Sequence, residues 1–419
     1  MIKMLATYVE KMPTGSETGE FLAIDLGGTN VRVVKVLLKD RKVQEVVAHE
    51  DAIPKELMTG TTKQLFDFIA KQVKNFITKY MKAQSMMMKK KKAYPIGFTF
   101  SYPMRQKSIN SGELICWTKG FGIKDTTGKC LVELLQNSLT EQKVNGTVFA
   151  ILNDTVGTLA ANKFKDQDTQ IGLILGTGSN AAYIERTSRC SKLNRESGGS
   201  GSNQMIINME WGNYKSSHLP YMDVDKDIDA STLNKGAQHY EKMISGMYLG
   251  EMARRICLKA SKEINLFGGT QRNKLEQEWS FPTSLVSKID GLGTEDLHQV
   301  ENLLSSTLNI SEKSVTESDA RFVAELCTLI GDRSATLAGA GVVAIYKYML
   351  DNNQVDQGQR FVVAVDGGLF EHYPRYPDRM AQTFIDLLGK KQAQCIELVH
   401  SPDGSGIGSA VIAAAQCNS

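Results

Sequence analysis

The sequence predicts an α/β protein of two units that face each other across a cleft, each unit opening on a strand, a glycine-bearing turn and a second strand. Three stretches carry this expectation. Phe21–Val36, FLAIDLGGTNVRVVKV, reads as two β-branched runs joined through Gly27-Gly28-Thr29-Asn30, the pattern of a hairpin with a glycine turn. The same punctuation returns at Ile171–Asn180, IGLILGTGSN, and a third apolar run ends in glycines at Phe361–Gly368, FVVAVDGG.

In chain order, residues 1–20 form a polar lead-in, helical over Met1–Met12. Strands are expected at 21–27, 30–38 and 43–48. A helix over Thr61–Gln84 follows, with Leu65, Ile69, Val73, Phe76, Ile77 and Tyr80 on its apolar side. The run Ser85–Lys92, SMMMKKKK, reads as the solvated end of that helix, its lysines suiting the negative end of the dipole. A strand at Ile96–Tyr102, a short strand entering a loop over Glu113–Phe121, a helix over Lys129–Gln142 and a buried strand at Thr147–Leu152 complete the first unit. A new helix begins at Thr155. The second unit opens at Ile171. Its helices are expected at Gly236–Ala260, Glu317–Asp351 and Arg379–Leu388, with strands at 361–366 and 394–399. Ser401–Gly406 is a loop, and Ser409–Gln416 a helix of small residues. Ser191–Gln204 is a polar surface loop, and the mixed periodicity of 264–315 assigns no element.

Composition excludes several classes. A net charge of +3 over 419 residues gives no electrostatic footprint for nucleic acid. The seven cysteines stand singly without a CxxC pair, and the six histidines show no metal-binding spacing, so a reduced, cytoplasmic protein without a structural metal is expected. The first twenty residues lack an apolar core of signal-peptide length, and no run of eighteen apolar residues occurs.

The turns suggest the chemistry. Glycines let backbone N–H groups approach an anion closely, and Thr29 and Asn30 add side-chain donors. Asp25, at the end of its strand, would hold a magnesium ion near the same phosphates, directly or through water. Two sets of glycine turns at a cleft mouth suit a nucleoside triphosphate clamped between the units. At Asn153-Asp154-Thr155 a carboxylate sits between a buried strand and a helix, where it could accept a proton from a hydroxyl during phosphoryl transfer; local sequence alone favours a helix N-cap at this position. Trp117-Thr118-Lys119-Gly120-Phe121 sets a hydroxyl and an ammonium among aromatics. Glu210 and Glu241 lie in apolar company, where an ionised carboxylate needs several donors, which sugar hydroxyls or a neighbouring cation would supply.

Taken together, the motifs AIDLGGTNVRV, FTFSYP, CWTKGF, LNDTVGTL, GLILGTGSNAAYI, NMEWG, YEKMISGMYLGE, VAVDGGLF and SPDGSGIGSA resemble the eukaryotic hexokinase family from Phe21 to near the carboxyl terminus. The resemblance implies two RNase H-like domains of the actin-like ATPase superfamily, small and large, closing by a hinge on a hexose and MgATP. It implies a lead-in at 1–20, a small domain over 21–152 completed by the terminal helix 406–419, and a large domain over 153–405. It makes Asp154 the catalytic base, with Lys119 assisting. Ser101, Thr118, Lys119, Asn153, Asn180, Glu210, Gln238 and Glu241 would line the sugar pocket for glucose, fructose or mannose. Asp25, Gly27, Gly28, Thr29, Asn30 and Arg32 would form the first phosphate loop and Gly176-Thr177-Gly178 the second. Asp366, Gly367, Gly368, Gly404 and Ser405 would lie by the adenosine.

The chain departs from the family pattern in places. About twenty residues precede the first loop, so no property of a longer leading segment is carried over. Tyr102 replaces the usual phenylalanine of Ser-Phe-Pro and is expected to place a hydroxyl beside the sugar pocket. Asp332 precedes Arg333 where a hydroxyl residue is common; a carboxylate facing the triphosphate would repel it unless magnesium or Arg333 offsets the charge, and so would weaken ATP binding or favour another phosphoryl donor. Two further readings are a catalytically silent hexose sensor and an actin-like assembly ATPase. The former conflicts with the intact Asp154 and DLGGTN, and the latter has no use for the WTKGF and NMEWG stretches. A dinucleotide-binding reading of Gly404–Gly408 fails, because that stretch opens no βαβ unit with a distal acid.

Overall fold

The computed structural model describes residues 2–81, 93–117, 121–193, 202–269, 272–309 and 314–417. Thirteen strands are seen among them: β1 Leu5–Ala6, β2 Gly19–Leu26, β3 Asn30–Lys39, β4 Lys42–Ala52, β5 Tyr94–Phe100, β6 Met104–Ser108, β7 Ser111–Leu114, β8 Gly146–Leu152, β9 Thr169–Leu175, β10 Ser179–Arg186, β11 Gln204–Asn208, β12 Phe361–Asp366 and β13 Ile396–His400. They build two principal sheets on one plan. The first has the order β4-β3-β2-β5-β8 and the second β11-β10-β9-β12-β13, with β1 added at its outer edge. In each, the opening three strands are antiparallel and the last two run parallel to the first. The internal repeat expected from the glycine turns is thus a repeat of topology.

Alternation along the central strands explains how one sheet carries two cores. Leu22, Ile24 and Leu26 face one side, under a helix α1 (Thr62–Tyr80), while Phe21 and Ala23 face the other. Helix α1 starts on a capping box between Thr61 and Gln64 and buries Leu65, Phe66, Ile69, Ala70, Val73 and Phe76. Helix α2 (Leu131–Glu141) packs beside it. On the opposite face lies the terminal helix, Gly404–Cys417, whose Ile407, Ala410, Val411 and Ala414 meet Phe21, Ala23, Val34 and Val36. Helix α3 (Asp154–Lys165) rests on β9, β10, β11 and β12 of the second sheet. The two helices that back the two sheets touch each other at glycines. A Cβ on Gly408 would stand 1.8 Å from the carbonyl oxygen of Gly157, so the crossing is closed to any side chain.

Between β11 and β12 the chain inserts a helical subdomain. It includes α4 (Asp223–Ser231), α5 (His239–Ile244), α6 (Gly246–Glu263), Thr283–Leu292, Leu297–Leu308 and α7 (Glu317–Asp351), followed after β12 by α8 (Tyr376–Leu388). The 35-residue α7 starts on a capping box between Thr316 and Asp319 and covers the range read from the sequence.

Four expectations are corrected. Residues 2–12 are not helical: Leu5 and Ala6 pair with Asn208 and Ile207, and the Val9 carbonyl accepts Ile206 N–H, so the lead-in extends the second sheet. The helix expected over Gly236–Ala260 breaks at Ser245, because the N–H groups of Gly246 and Met247 donate to Gly176 O (2.8 Å) and Thr177 O (3.1 Å). The terminal helix starts at Gly404, inside the expected loop. The short strand expected from Glu113 is the end of β7, the second strand of a hairpin with β6, and stops at Leu114. Residues 85–92, 118–120 and 194–201 lie outside the described residues. Among the described residues, no helix is long and apolar enough to cross a membrane.

Candidate active site

The repeated topology places equivalent turns at equivalent sheet edges. In the first unit Gly27 N–H closes the turn on Asn30 O (3.1 Å); in the second, Gly176 N–H closes on Gly178 O (3.0 Å). The carboxyl ends of β2, β5, β8, β9 and β12 deliver Asp25, Ser101, Asn153, Gly176 and Asp366, at the strand ends where open α/β sheets bind their ligands.

The terminal helix joins these turns. Ser405 Oγ donates to Asp25 Oδ2 (2.6 Å), and Thr99 Oγ1 donates to Ser405 O (3.0 Å). Arg32 pairs with Asp403, and Asp403 holds the guanidinium above its ordinary range chiefly through their hydrogen bond. The Asn30 amide donates to Glu50 across β3 and β4. Gly367 lies at φ 117°, and a Cβ there would meet Leu175 O at 2.5 Å and Gly176 N at 2.8 Å. Only glycine lets the end of β12 lie against the second turn. Asp366 is pushed up to about 6 by burial, and the nearby Asp403 charge adds to this. The amides of Gly367 and Gly404 and the neighbouring His400 act the other way.

A polar chain runs away from the turns. Asn153 caps α3, its Oδ1 accepting Thr155 N–H (3.2 Å) and Thr155 Oγ1–H (2.7 Å). The same oxygen accepts Asn180 Nδ2–H (3.2 Å), which also reaches Asn208 Oδ1 (2.7 Å), and Asn208 Nδ2 donates to Glu210 Oε1 (3.0 Å). Asn180 Oδ1 accepts from Ala181 N (2.8 Å) and Trp211 N (3.3 Å), which fixes the amide orientation. Glu241 Oε2 accepts Ser179 N–H (3.1 Å), and Trp211 Nε1 donates to Ser179 Oγ (3.0 Å). Glu210 and Gln238 are held in left-handed backbone, at φ 53° and 57°. Gln238 Oε1 is buried without a hydrogen-bond partner, an acceptor that a bound hydroxyl would satisfy.

Asp154 stands at the head of this chain, first residue of α3, its Oδ1 accepting Thr155 N–H (2.8 Å). Asn153 makes the cap interaction, which leaves Asp154 for another role. The structure therefore brings Asn153, Asp154, Asn180 and Glu210 into one network, with Glu241 tied to it through Ser179. Ser101 is buried at the end of β5, its N–H reaching Leu26 O (3.3 Å) beside the first turn. Thr118 and Lys119 lie outside the described residues.

Sequence reasoning missed Asn208, the bridge between Asn180 and Glu210; its signal is its place two residues before Glu210, inside NMEWG. Two departures resolve differently than expected. The Tyr102 hydroxyl reaches the first glycine turn, donating to Gly27 O (2.6 Å). Asp332 ion-pairs with Arg379 Nε (2.5 Å), and Arg333 is taken by Asp225 through two hydrogen bonds. Ser334, next on the same helix, donates to Ile244 O (2.8 Å). Asp332 thus shares Arg379 of α8 with Asp290, whose two carboxylate oxygens both accept from the same guanidinium.

Comparison with known proteins agrees with this geometry. The profile of a family described as Hexokinase matches residues 170–415, and a companion profile with the same description matches 1–164. Hexokinase-2 of Solanum tuberosum is 43% identical over 416 residues, covering 99% of this chain and 83% of the relative. Hexokinase-1 of Spinacia oleracea is 42% identical, covering 99% and 82%. A solved hexokinase from Schistosoma mansoni, complexed with glucose, superposes with a TM-score of 0.85 at 36% identity, covering 99% of this chain and 89% of that one. The paired α/β units, the glycine turns and the full-length similarity agree: the chain belongs to the hexokinase family.

Proposed function

We propose that this hexokinase transfers the terminal phosphoryl group of MgATP to the 6-hydroxyl of glucose, and of related hexoses such as fructose and mannose, with Asp154 as general base. The observation that carries the reading is the hydrogen-bonded chain from Asn153 through Asn180 and Asn208 to Glu210, next to Asp154, which would serve as a polyol cradle. The Schistosoma mansoni relative, solved with glucose, supports the choice of sugar.

Glu210, Glu241, Asn180, Asn153 and Gln238 would bind the ring hydroxyls and fix the 6-hydroxyl toward Asp154. With Oδ1 engaged by Thr155 N–H, Oδ2 is the atom that takes the hydroxyl proton as the O6–phosphorus bond forms and the bond to the ADP oxygen breaks. Backbone amides of the turns at Gly27–Asn30 and Gly176–Gly178 would orient and neutralise the phosphates. Magnesium fits the first turn: Asp25 is one carboxylate fixed by Ser405, and this ion is commonly held by one or two carboxylates together with phosphate oxygens and water. When bound, it withdraws charge from the outer phosphate oxygens. Closure about the α3–terminal helix crossing would exclude water from the transfer.

The test is the initial rate of hexose phosphate formation from glucose and MgATP, with the phosphorylated carbon located by NMR. Phosphate on C6 is expected. Phosphate elsewhere on the sugar, or nucleotide hydrolysis without sugar product, would overturn the reading.

A further inference from the structure

The first glycine turn offers a problem that the turn itself does not solve. A peptide plane flanked by glycines rotates at little cost, and rotating the Gly27–Gly28 plane by half a turn exchanges the directions of its carbonyl and its N–H. Gly28 is not among the positive-φ residues of the structure, and the flipped plane would carry it to positive φ, which glycine accepts readily. Turn geometry alone therefore leaves two orientations within reach. One presents an N–H to the crevice and the other a carbonyl oxygen, which would repel a phosphate.

One hydrogen bond chooses between them. Tyr102 Oη donates to Gly27 O at 2.6 Å. The ring is 1% exposed and packed against Phe100 (5.0 Å between centroids), Trp117 (5.0 Å) and Phe121 (5.4 Å), so the hydroxyl is fixed in place. In a trans peptide the N–H points opposite to the carbonyl. A Gly27 carbonyl directed into the aromatic cluster directs the Gly28 N–H away from it.

We propose that Tyr102 is a positioning residue for the phosphoryl donor: its hydroxyl locks the Gly27–Gly28 peptide with the Gly28 N–H turned outward to a nucleotide phosphate. The inference rests on the proposed use of this turn for phosphate. In a Tyr102→Phe chain the Gly27 carbonyl would face an apolar cluster without a partner, so the flipped plane gains population. Apparent donor affinity falls by the fraction of chains left competent.

The test measures the Kd of a non-hydrolysable ATP analogue with magnesium, and of glucose, by titration calorimetry on the full wild-type and Tyr102→Phe chains. Tyr183→Phe serves as control, since it strips a buried hydroxyl from Glu185 in the second sheet. Loss of one buried neutral hydrogen bond corresponds to a change of about 3- to 10-fold. The nucleotide Kd should rise by that factor in Tyr102→Phe alone, with the glucose Kd within about twofold of wild type. An unchanged nucleotide Kd in a wild type that binds nucleotide, or equal weakening of both ligands, overturns the positioning role and leaves the hexokinase reading standing. No nucleotide binding by the wild type overturns both.

Discussion

The glycine crossing between α3 and the terminal helix ties fold to catalysis, and Gly408→Ala probes it. The added Cβ would lie 1.8 Å from Gly157 O, 2.4 Å from Gly157 C and 2.6 Å from its Cα, all backbone atoms without freedom to rotate away. Ordinary contact begins near 3.4 Å, so the helices must part by about 1.6 Å. Overpacking of this kind costs about 1–3 kcal/mol, and the rigid obstacle puts this case at the upper end. A loss of about 3 kcal/mol lowers the melting midpoint by roughly 6–12 °C in a domain of about 200 residues. The displacement also reaches the chemistry. Gly157 lies in the first turn of the helix that begins at Asp154, while Ser405, on the helix of Gly408, holds Asp25. Misplacing two reacting groups by an ångström or more costs on the order of 10²-fold in rate. The control is Gly406→Ala on the same helix, where the new Cβ would meet Val34 Cγ2 at an ordinary 3.4 Å. There the helix propensity of alanine, worth about 1 kcal/mol over glycine, should leave stability equal or improved. Thermal melts by circular dichroism and initial rates on both variants decide the matter. A Gly408→Ala chain as stable and as active as Gly406→Ala would refute the close crossing.

Two further outcomes follow from single side chains. Burial raises Asp366 to about 6, so the folded chain keeps a proton that the unfolded chain releases near pH ~4. The stability from this group is present in full below about pH 4 and is lost as pH rises through 6. Asp366→Asn, measured by denaturant melts across pH 4–8, should therefore gain on wild type between pH 4 and 6 and hold an advantage of up to about 3 kcal/mol above that; a pH-independent difference would contradict the burial argument. Glu210→Gln should raise the KM for glucose at least about tenfold while the KM for MgATP stays within about twofold, because it weakens contacts made alike in ground and transition states. A change confined to MgATP would move Glu210 out of the sugar cradle.

What the sequence made legible was local. Helix α7 could be read end to end because Thr316 and Asp319 form a capping box ahead of a sustained apolar period. The repeat of the two units was legible because β-branched runs flank each glycine turn. What stayed hidden depends on distant partners. Leu5–Ala6 is two residues long and is a strand only because β11 offers an open edge. Glycines at 404, 406 and 408 argue against a helix by propensity, and their packing against α3 and the first sheet overrides it. The break at Ser245 exists because the glycine turn claims two amides from the next helix. In the site, Asp154 stood out as a carboxylate between a buried strand and a helix, and Glu210 as a carboxylate in apolar company. Asn208 did not, since its role is to join two residues far apart in the chain. The partner of Asp332, Arg379, lies on another helix and was equally out of reach.

The central claim is that Asp154 acts on the proton of the sugar hydroxyl, while the neighbouring network holds the sugar. Asp154→Asn keeps the shape and the hydrogen bond from Thr155 and removes only the ability to take a proton. Turnover with glucose and MgATP should fall by about 10²- to 10⁴-fold, with the glucose Kd, from titration calorimetry on the same preparation, within about threefold of wild type. Near-normal turnover, or loss of glucose binding in step with loss of rate, would contradict the account.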